Sequence, residues 1–223
     1  MTPLERSGIL SAIAKSACAG PVAVSHAGCA GDMQGNTVIH GGPDKALLHY
    51  AEHHYDAWRA EFPDSADRFV AGGFGENLVS LGPDETTLCI GDVVAVGTAV
   101  LQVAQPRQPC FKLNHRFAQP TMSRRTQQTR RTGWYYRMLT EGTIAPGDAM
   151  RVTDRPHPGW ALWRIQHHLY TPTLDQDATA ELAGLDALAI AMRRVFGKRL
   201  ETRTVEEWEP RLHGPVSAST VAA

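Results

Sequence analysis

A mainly β body followed by a small helical appendage is what this sequence predicts, on three observations. Three short β-rich runs, 87–90, 93–96 and 99–105, are separated only by Gly91-Asp92 and Gly97-Thr98, and two-residue links of that kind signal hairpins. Further runs of strand length, "ENLVSL" before them and "WYYRML" and "DAMRVTD" after, bring the number of short strands to what a barrel or sandwich needs, rather than an α/β sheet. Beyond Pro156 and Pro158 the composition turns to Ala and Leu, and three segments read as helices. The expected division is 1–154 for the β body, 155–213 for the helical domain and 214–223 for a tail with too little bulk to bury.

In chain order, "GILSAIAK" (8–15) and "NTVIH" (36–40) read as early strands. The stretch "ALLHYAEHHYDAWRAEF" reads as one amphipathic helix, because Leu47, Leu48, Ala51, Tyr55, Trp58 and Phe62 recur near helical spacing and Pro63 ends the run. Asp44 is placed to cap it, with Gly41 and Gly42 just before. The appended helices are "WALWRIQHHLY", "DQDATAELAGL" and "DALAIAMRRVFGKRL". Trp160, Trp163 and Trp208 suit the core of that small domain.

Charge excludes some functions. Twenty-two Lys and Arg balance 23 Asp and Glu over 223 residues, which argues against a general grip on nucleic acid or acidic membranes. Arg124, Arg125, Arg130 and Arg131 gather in "SRRTQQTRR", which reads as a solvated loop before it reads as an anion site. Cys18, Cys29, Cys89 and Cys110 show no C-x-x-C pairing, so reduced thiols in a cytoplasmic protein are expected. No apolar run approaches the roughly 20 residues that cross a bilayer, and the first residues lack a secretory pattern.

Chemistry concentrates at "VAQPRQPCFKLN". Pro106 and Pro109 force the chain out of the sheet and set Cys110 at a rim, with Arg107 before it and Lys112 after it. Two readings compete: a small buried side chain, or a thiolate favoured by two cations and suited to a nucleophile or a soft-metal ligand. "HGGPDK" offers free amides near Gly41 and Gly42 as an anion seat, or simply a tight turn. It is neither a Walker loop nor a G-x-G-x-x-G. His49 and His53 stand four apart, a zinc-compatible spacing, but without H-E-x-x-H or a third ligand they read as exposed helix histidines, as do His167 and His168. Asp32 in "GCAGDMQG" and Glu76 and Asn77 in "FGENL" are site-like or turn-like.

Taken in order, "SAIAK", "GCAGD", "HGGPDKALLHY", "FGENL", "IGD" and "QVAQPRQPCFKLN" resemble the series that marks the MOSC domain, the molybdenum-cofactor sulfurase C-terminal type, and best its stand-alone YiiM-like branch. The resemblance runs from about Ser11 to Asp154 and more loosely through the tail. It implies a MOSC-type β-barrel with interspersed helices and a three-helix domain. It also implies a molybdenum cofactor of the molybdopterin type held by Cys110, with no need for pyridoxal phosphate. Arg107, Lys112, Lys45, Lys15 and the amides near Gly41 and Gly42 become candidates for the cofactor's phosphate. Asp32, His40, Glu76 and Asn77 become candidates for the mouth of the site, and His40 and His115 for proton donors.

The implied activity is reduction of N-hydroxylated compounds, such as hydroxylaminopurine base analogues, to amines, with electrons from a flavin-type partner reductase. A homodimer is left open, and neither membrane nor nucleic-acid polymer is an expected partner. The alternatives are a cofactor-binding or sulfur-carrier module built on Cys110, and a nucleotide-binding barrel in which Cys110 is inert. The segment 119–132 varies among family members, so no arginine role transfers there.

Overall fold

The computed structural model describes residues 2–3, 10–11, 13, 15–32 and 42–214. The expected strand 36–40 lies outside them. Eleven strands are described: β1 (Thr2–Pro3), β2 (Leu10–Ser11), β3 (Val22–Ser25), β4 (Gly28–Cys29), β5 (Leu47–Ala51), β6 (Leu78–Ser80), β7 (Val93–Val96), β8 (Ala99–Pro106), β9 (Trp134–Thr140), β10 (Gly142–Ile144) and β11 (Arg151–Asp154). The helices are α1 (His53–Glu61), α2 (Lys112–Phe117), α3 (Met122–Thr129), α4 (Leu162–Tyr170), α5 (Gln176–Gly184), α6 (Ile190–Thr202) and α7 (Glu209–His213). Among the described residues helix exceeds strand, so the fold is mixed rather than mainly β. The surplus comes from α1, α2 and α3, which interrupt the β body.

The main sheet has six strands in the order β11-β7-β8-β9-β5-β6, curled into half a barrel, and a second sheet pairs β10, β3 and β4. The β7–β8 hairpin turns at Gly97-Thr98 as the sequence predicts. The run 87–90 is not a strand; only Cys89 makes an isolated bridge, to Ala161. There two backbone bonds, Ile90 N to Trp160 O and Leu162 N to Leu88 O, both 2.9 Å, flank the bridge, and the buried Asp92 carboxylate accepts from the Cys89 amide at 2.9 Å and from Arg155.

The expected helix 46–62 is two elements. Residues 47–51 form a central strand, antiparallel to β9 and parallel to β6, and all five are buried. A strand covered on both faces shows a continuous apolar run, which helical spacing imitates. The helix is confined to 53–61. Asp44 does not cap that helix: Pro43–Lys45 is a single 3-10 turn, and the Asp44 carboxylate accepts from Arg137 Nε at 2.8 Å and, at 3.2 Å, from the Ile190 amide that opens α6.

The two faces of the main sheet differ. Leu47, Ala51, Leu101, Val103, Trp134, Tyr136 and Met138 share one, and Leu162, Ile165, Leu169, Leu182 and Phe196 of the C-terminal helices pack onto it in one continuous core. The opposite face carries Leu48, Tyr50, Gln102, Gln105, Tyr135 and Arg137. At one end of it Tyr50 joins a second apolar cluster with Trp58, Phe69, Phe74 and Phe117. Trp160 is buried in the main core, whereas Trp163 is 47% exposed beneath the Arg130 guanidinium, so only part of the expected tail core is core.

The arginine-rich segment is helical rather than a loop. Within α3, Thr126 and Thr129 return hydroxyl bonds to the preceding turn, and Arg125 pairs with Glu61 at 2.5 Å.

Candidate functional site

One irregularity in β8 decides which way the predicted site residues point. Val103 lies opposite Tyr136 but Gln105 lies opposite Tyr135, so Ala104 is an extra residue, a β-bulge. Without it, strand alternation would keep residue 105 on the Val103 face, in the hydrocarbon core. With it, Gln105 joins Tyr135 on the opposite face. Arg107 follows in the same alternation, because its amide continues the ladder to Gly133 O at 2.9 Å. The bulge carbonyl accepts the Ala189 amide at 2.9 Å, so the C-terminal helices satisfy the irregularity.

Arg107 is 6% exposed, which corrects its expected place as a rim cation. Among the described residues it has no acidic partner, and its Nη1 is buried without any hydrogen bond, as is Gln105 Oε1. Buried polar groups in that state are rare and invite a ligand. Tyr135 ties the group together. Burial pushes its phenol up, the Arg107 guanidinium opposes that, and the Cys110 sulfur reinforces it, so all three side chains share one region. Lys45 Nζ lies 6.0 Å from the Tyr135 ring centroid, and burial pushes its ammonium down against the pull of Asp44. Cys110 itself is half-buried, at the point where the extended chain turns into α2.

The remaining candidates fall into two sets. Lys112 and His115 are half-buried on α2, and the His115 ring meets Phe111 edge-on at 6.0 Å. On the other side of β5, Lys15 Nζ and Asn77 Nδ2 both donate to Asp32 Oδ2 at 2.7 Å, while Asn77 brackets Leu48 with two further bonds. Lys15 is therefore already neutralised by Asp32. Burial and the Asp32 charge raise the neighbouring Cys29 thiol. Glu76 points inward, accepting from Tyr55 and from the Gly72 and Phe74 amides, which gives it the turn role. Gly42 has φ 104°, which the tight turn requires. His40 and Gly41 lie outside the described residues.

The expected exposed histidine pair is not on one helix. His49 is fully buried on β5, with Nδ1 3.1 Å from the Tyr136 hydroxyl and Nε2 2.8 Å from Ser80 Oγ, and desolvation pulls it down to about 3. His53 sits at the start of α1 beside Asp84. Among the described residues no three His, Cys, Asp or Glu side chains cluster as metal ligands.

Sequence reasoning missed Tyr135, Gln105 and the buried Glu85. Glu85 pairs with His54 at 2.7 Å and accepts the Thr132 and Gly133 amides, fixing the entry to β9. Alternation within "WYYRML" carries a signal for Tyr135; nothing local marks the other two.

A family model described as the MOSC domain matches residues 36–151, and one described as the YiiM-like 3-alpha helix domain matches residues 160–203. The chain belongs to the MOSC domain family. Among the relatives of this MOSC protein, Protein YiiM of Escherichia coli K12 is 34% identical over 92% of this chain and 91% of its own length. A protein named Reductase from Gibberella moniliformis is 39% identical over 79% of this chain, a match that spans only 32% of that longer protein. The crystal structure of YiiM from Escherichia coli superposes with a TM-score of 0.82 at 30% identity, covering 90% of this chain and 94% of the other. That of YiiM from Geobacillus stearothermophilus gives 0.75 at 35% identity, covering 84% and 88%.

Proposed function

We propose that the chain is a molybdenum-cofactor-dependent oxidoreductase that reduces N-hydroxylated compounds, of the hydroxylaminopurine type, to the corresponding amines. The observation that carries this reading is the pair of unpartnered buried polar atoms, Arg107 Nη1 and Gln105 Oε1, in the region of the half-buried Cys110 thiol. An anionic cofactor with hydrogen-bonding ring edges would satisfy both, and a thiolate suits its metal. The donor set therefore fits a molybdopterin-type group. The name Reductase of the fungal relative supports a redox role.

In this reading Cys110 supplies the sulfur ligand, while Arg107 and Lys112 balance the cofactor's negative charge. Lys45 extends the positive lining. Gln105 and Tyr135 offer hydrogen-bonding edges to the pterin, and Asp32 and Asn77 shape the approach. When bound, the group supplies the redox centre at which N–OH becomes N–H, two electrons and two protons being consumed and water released. His115 and His40 are the groups that would hold and deliver protons to the departing oxygen. The electrons come from a flavin-type reductase partner.

The test is molybdenum content. The wild-type chain, purified from cells that make the cofactor, is expected to carry stoichiometric molybdenum and to convert hydroxylaminopurine to adenine with an electron donor present. Cys110→Ser is expected to lose at least tenfold in both. A persulfide on Cys110 in a metal-free wild type would replace this reading with the sulfur-carrier one. Equal metal content in the two proteins would remove Cys110 as the ligand.

A further inference from the structure

The loop that presents Cys110 has little backbone bonding of its own. Pro106 and Pro109 have no N–H to donate, and the strand ladder ends at Arg107. Beyond the turn into α2, where Cys110 O accepts the Leu113 amide at 3.0 Å, its bonds come from the C-terminal helices. Tyr170 of α4 donates its hydroxyl to Arg107 O at 2.9 Å. Arg211 of α7 grips both neighbours of the cysteine: its Nη1 donates to Pro109 O, and its own carbonyl accepts the Phe111 amide at 2.9 Å. Its Nη2 is aimed by Gln127 Oε1 at 2.5 Å. The following residue, Leu212, accepts from Asn114 Nδ2 at 3.0 Å and Ser123 Oγ at 2.7 Å, which pins α7 to α2 and α3. Gly214 then passes so close to the Phe111 ring that a Cβ there would lie 2.8 Å from it.

We infer that Arg211 is a positioning residue for Cys110, a bracket delivered by the last described helix that fixes where the sulfur points. The inference rests on the reading of Cys110 as the working thiol. A purely structural strap would anchor α7 anywhere along α2 or α3. This one places two bonds from a single residue on the peptide units either side of the cysteine.

The test uses the full-length chain made in cells that cannot synthesise molybdopterin, alkylated with iodoacetamide and read cysteine by cysteine by mass spectrometry. Arg211→Ala is expected to raise the Cys110 alkylation rate about fivefold, the factor that loss of one typical hydrogen bond produces. Exposed Cys18 and buried Cys89 should keep their rates. Arg211→Lys, which retains a donor for Pro109 O, should return Cys110 to within about twofold of wild type, and Arg124→Ala, which breaks only exposed contacts of α7, those with Glu209 and His213, should change nothing.

An unchanged Cys110 rate in Arg211→Ala overturns the inference. So does a rise shared by Cys89, which reports global opening, or an Arg211→Lys chain as fast as the alanine variant. Should Arg211→Ala not fold, Arg211→Gln is judged by the same criteria. Molybdenum content of the wild type is measured separately, so a metal-free protein with a responsive Cys110 rejects the cofactor reading alone, and a loaded protein with an unresponsive one rejects the bracket alone.

Discussion

Arg107 shows what sequence alone conveys about a residue and what it withholds. Its place three positions before a cysteine was legible, and so was the break that two prolines impose. Its burial was not, because that depends on the extra residue at Ala104, which turns the side chain from the hydrocarbon face to the other. No local composition announces a bulge. An unpaired buried guanidinium costs stability in the empty protein, and a hydrophobic replacement of similar length relieves that cost. Arg107→Met is therefore expected to raise the stability of the metal-free chain by about 1–3 kcal/mol in urea melts. It should also lower retained molybdenum at least tenfold. A destabilised Arg107→Met would mean that the guanidinium is already satisfied and has no ligand to await.

At the scale of an element, β5 is the instructive misreading. Leu47, Leu48 and Ala51 satisfy both periods over so short a stretch, and only tertiary burial on two faces selects the strand. The same strand holds His49 neutral among Tyr136, Ser80 and Trp134. Its folded value, about 3, lies below the ordinary 6.5, so the unfolded chain binds the extra proton between those limits. Stability is thus present above about pH 6.5 and is lost as pH falls toward 3. From this residue alone the protein should be about 2 kcal/mol less stable at pH 5 than at pH 7. Urea melts of wild type and His49→Gln at both values check this; the variant should lack that part of the difference, and parallel losses in the two proteins would refute it. The helix α3 was missed for the converse reason: its polar sequence gives no apolar stripe, and its stability comes from Glu61 and from α7.

For the whole molecule, the succession of strands and then helices was legible, as was the collinear series of motifs that marks the family. The depth of the join between the two parts was not. Leu162, Ile165, Leu169 and Phe196 lie in the same core as Leu101, Val103 and Tyr136, and the C-terminal helices supply the bond that satisfies the bulge and those that hold the cysteine loop. A chain ending at residue 158 would expose that sheet face to water. It is expected to show no cooperative thermal transition and to aggregate, and a sharp melt from a monomeric 1–158 fragment would refute the shared core.

The strand order carries a consequence for how the protein is born. β5 is synthesised early, yet its antiparallel neighbour is β9 and its parallel neighbour β6 follows a long crossover, so it cannot be enclosed until the ribosome has released residues 134–140. Throughout that interval a doubly apolar ribbon stands unshielded in the nascent chain, and helper proteins that bind emerging polypeptides have a natural handhold there.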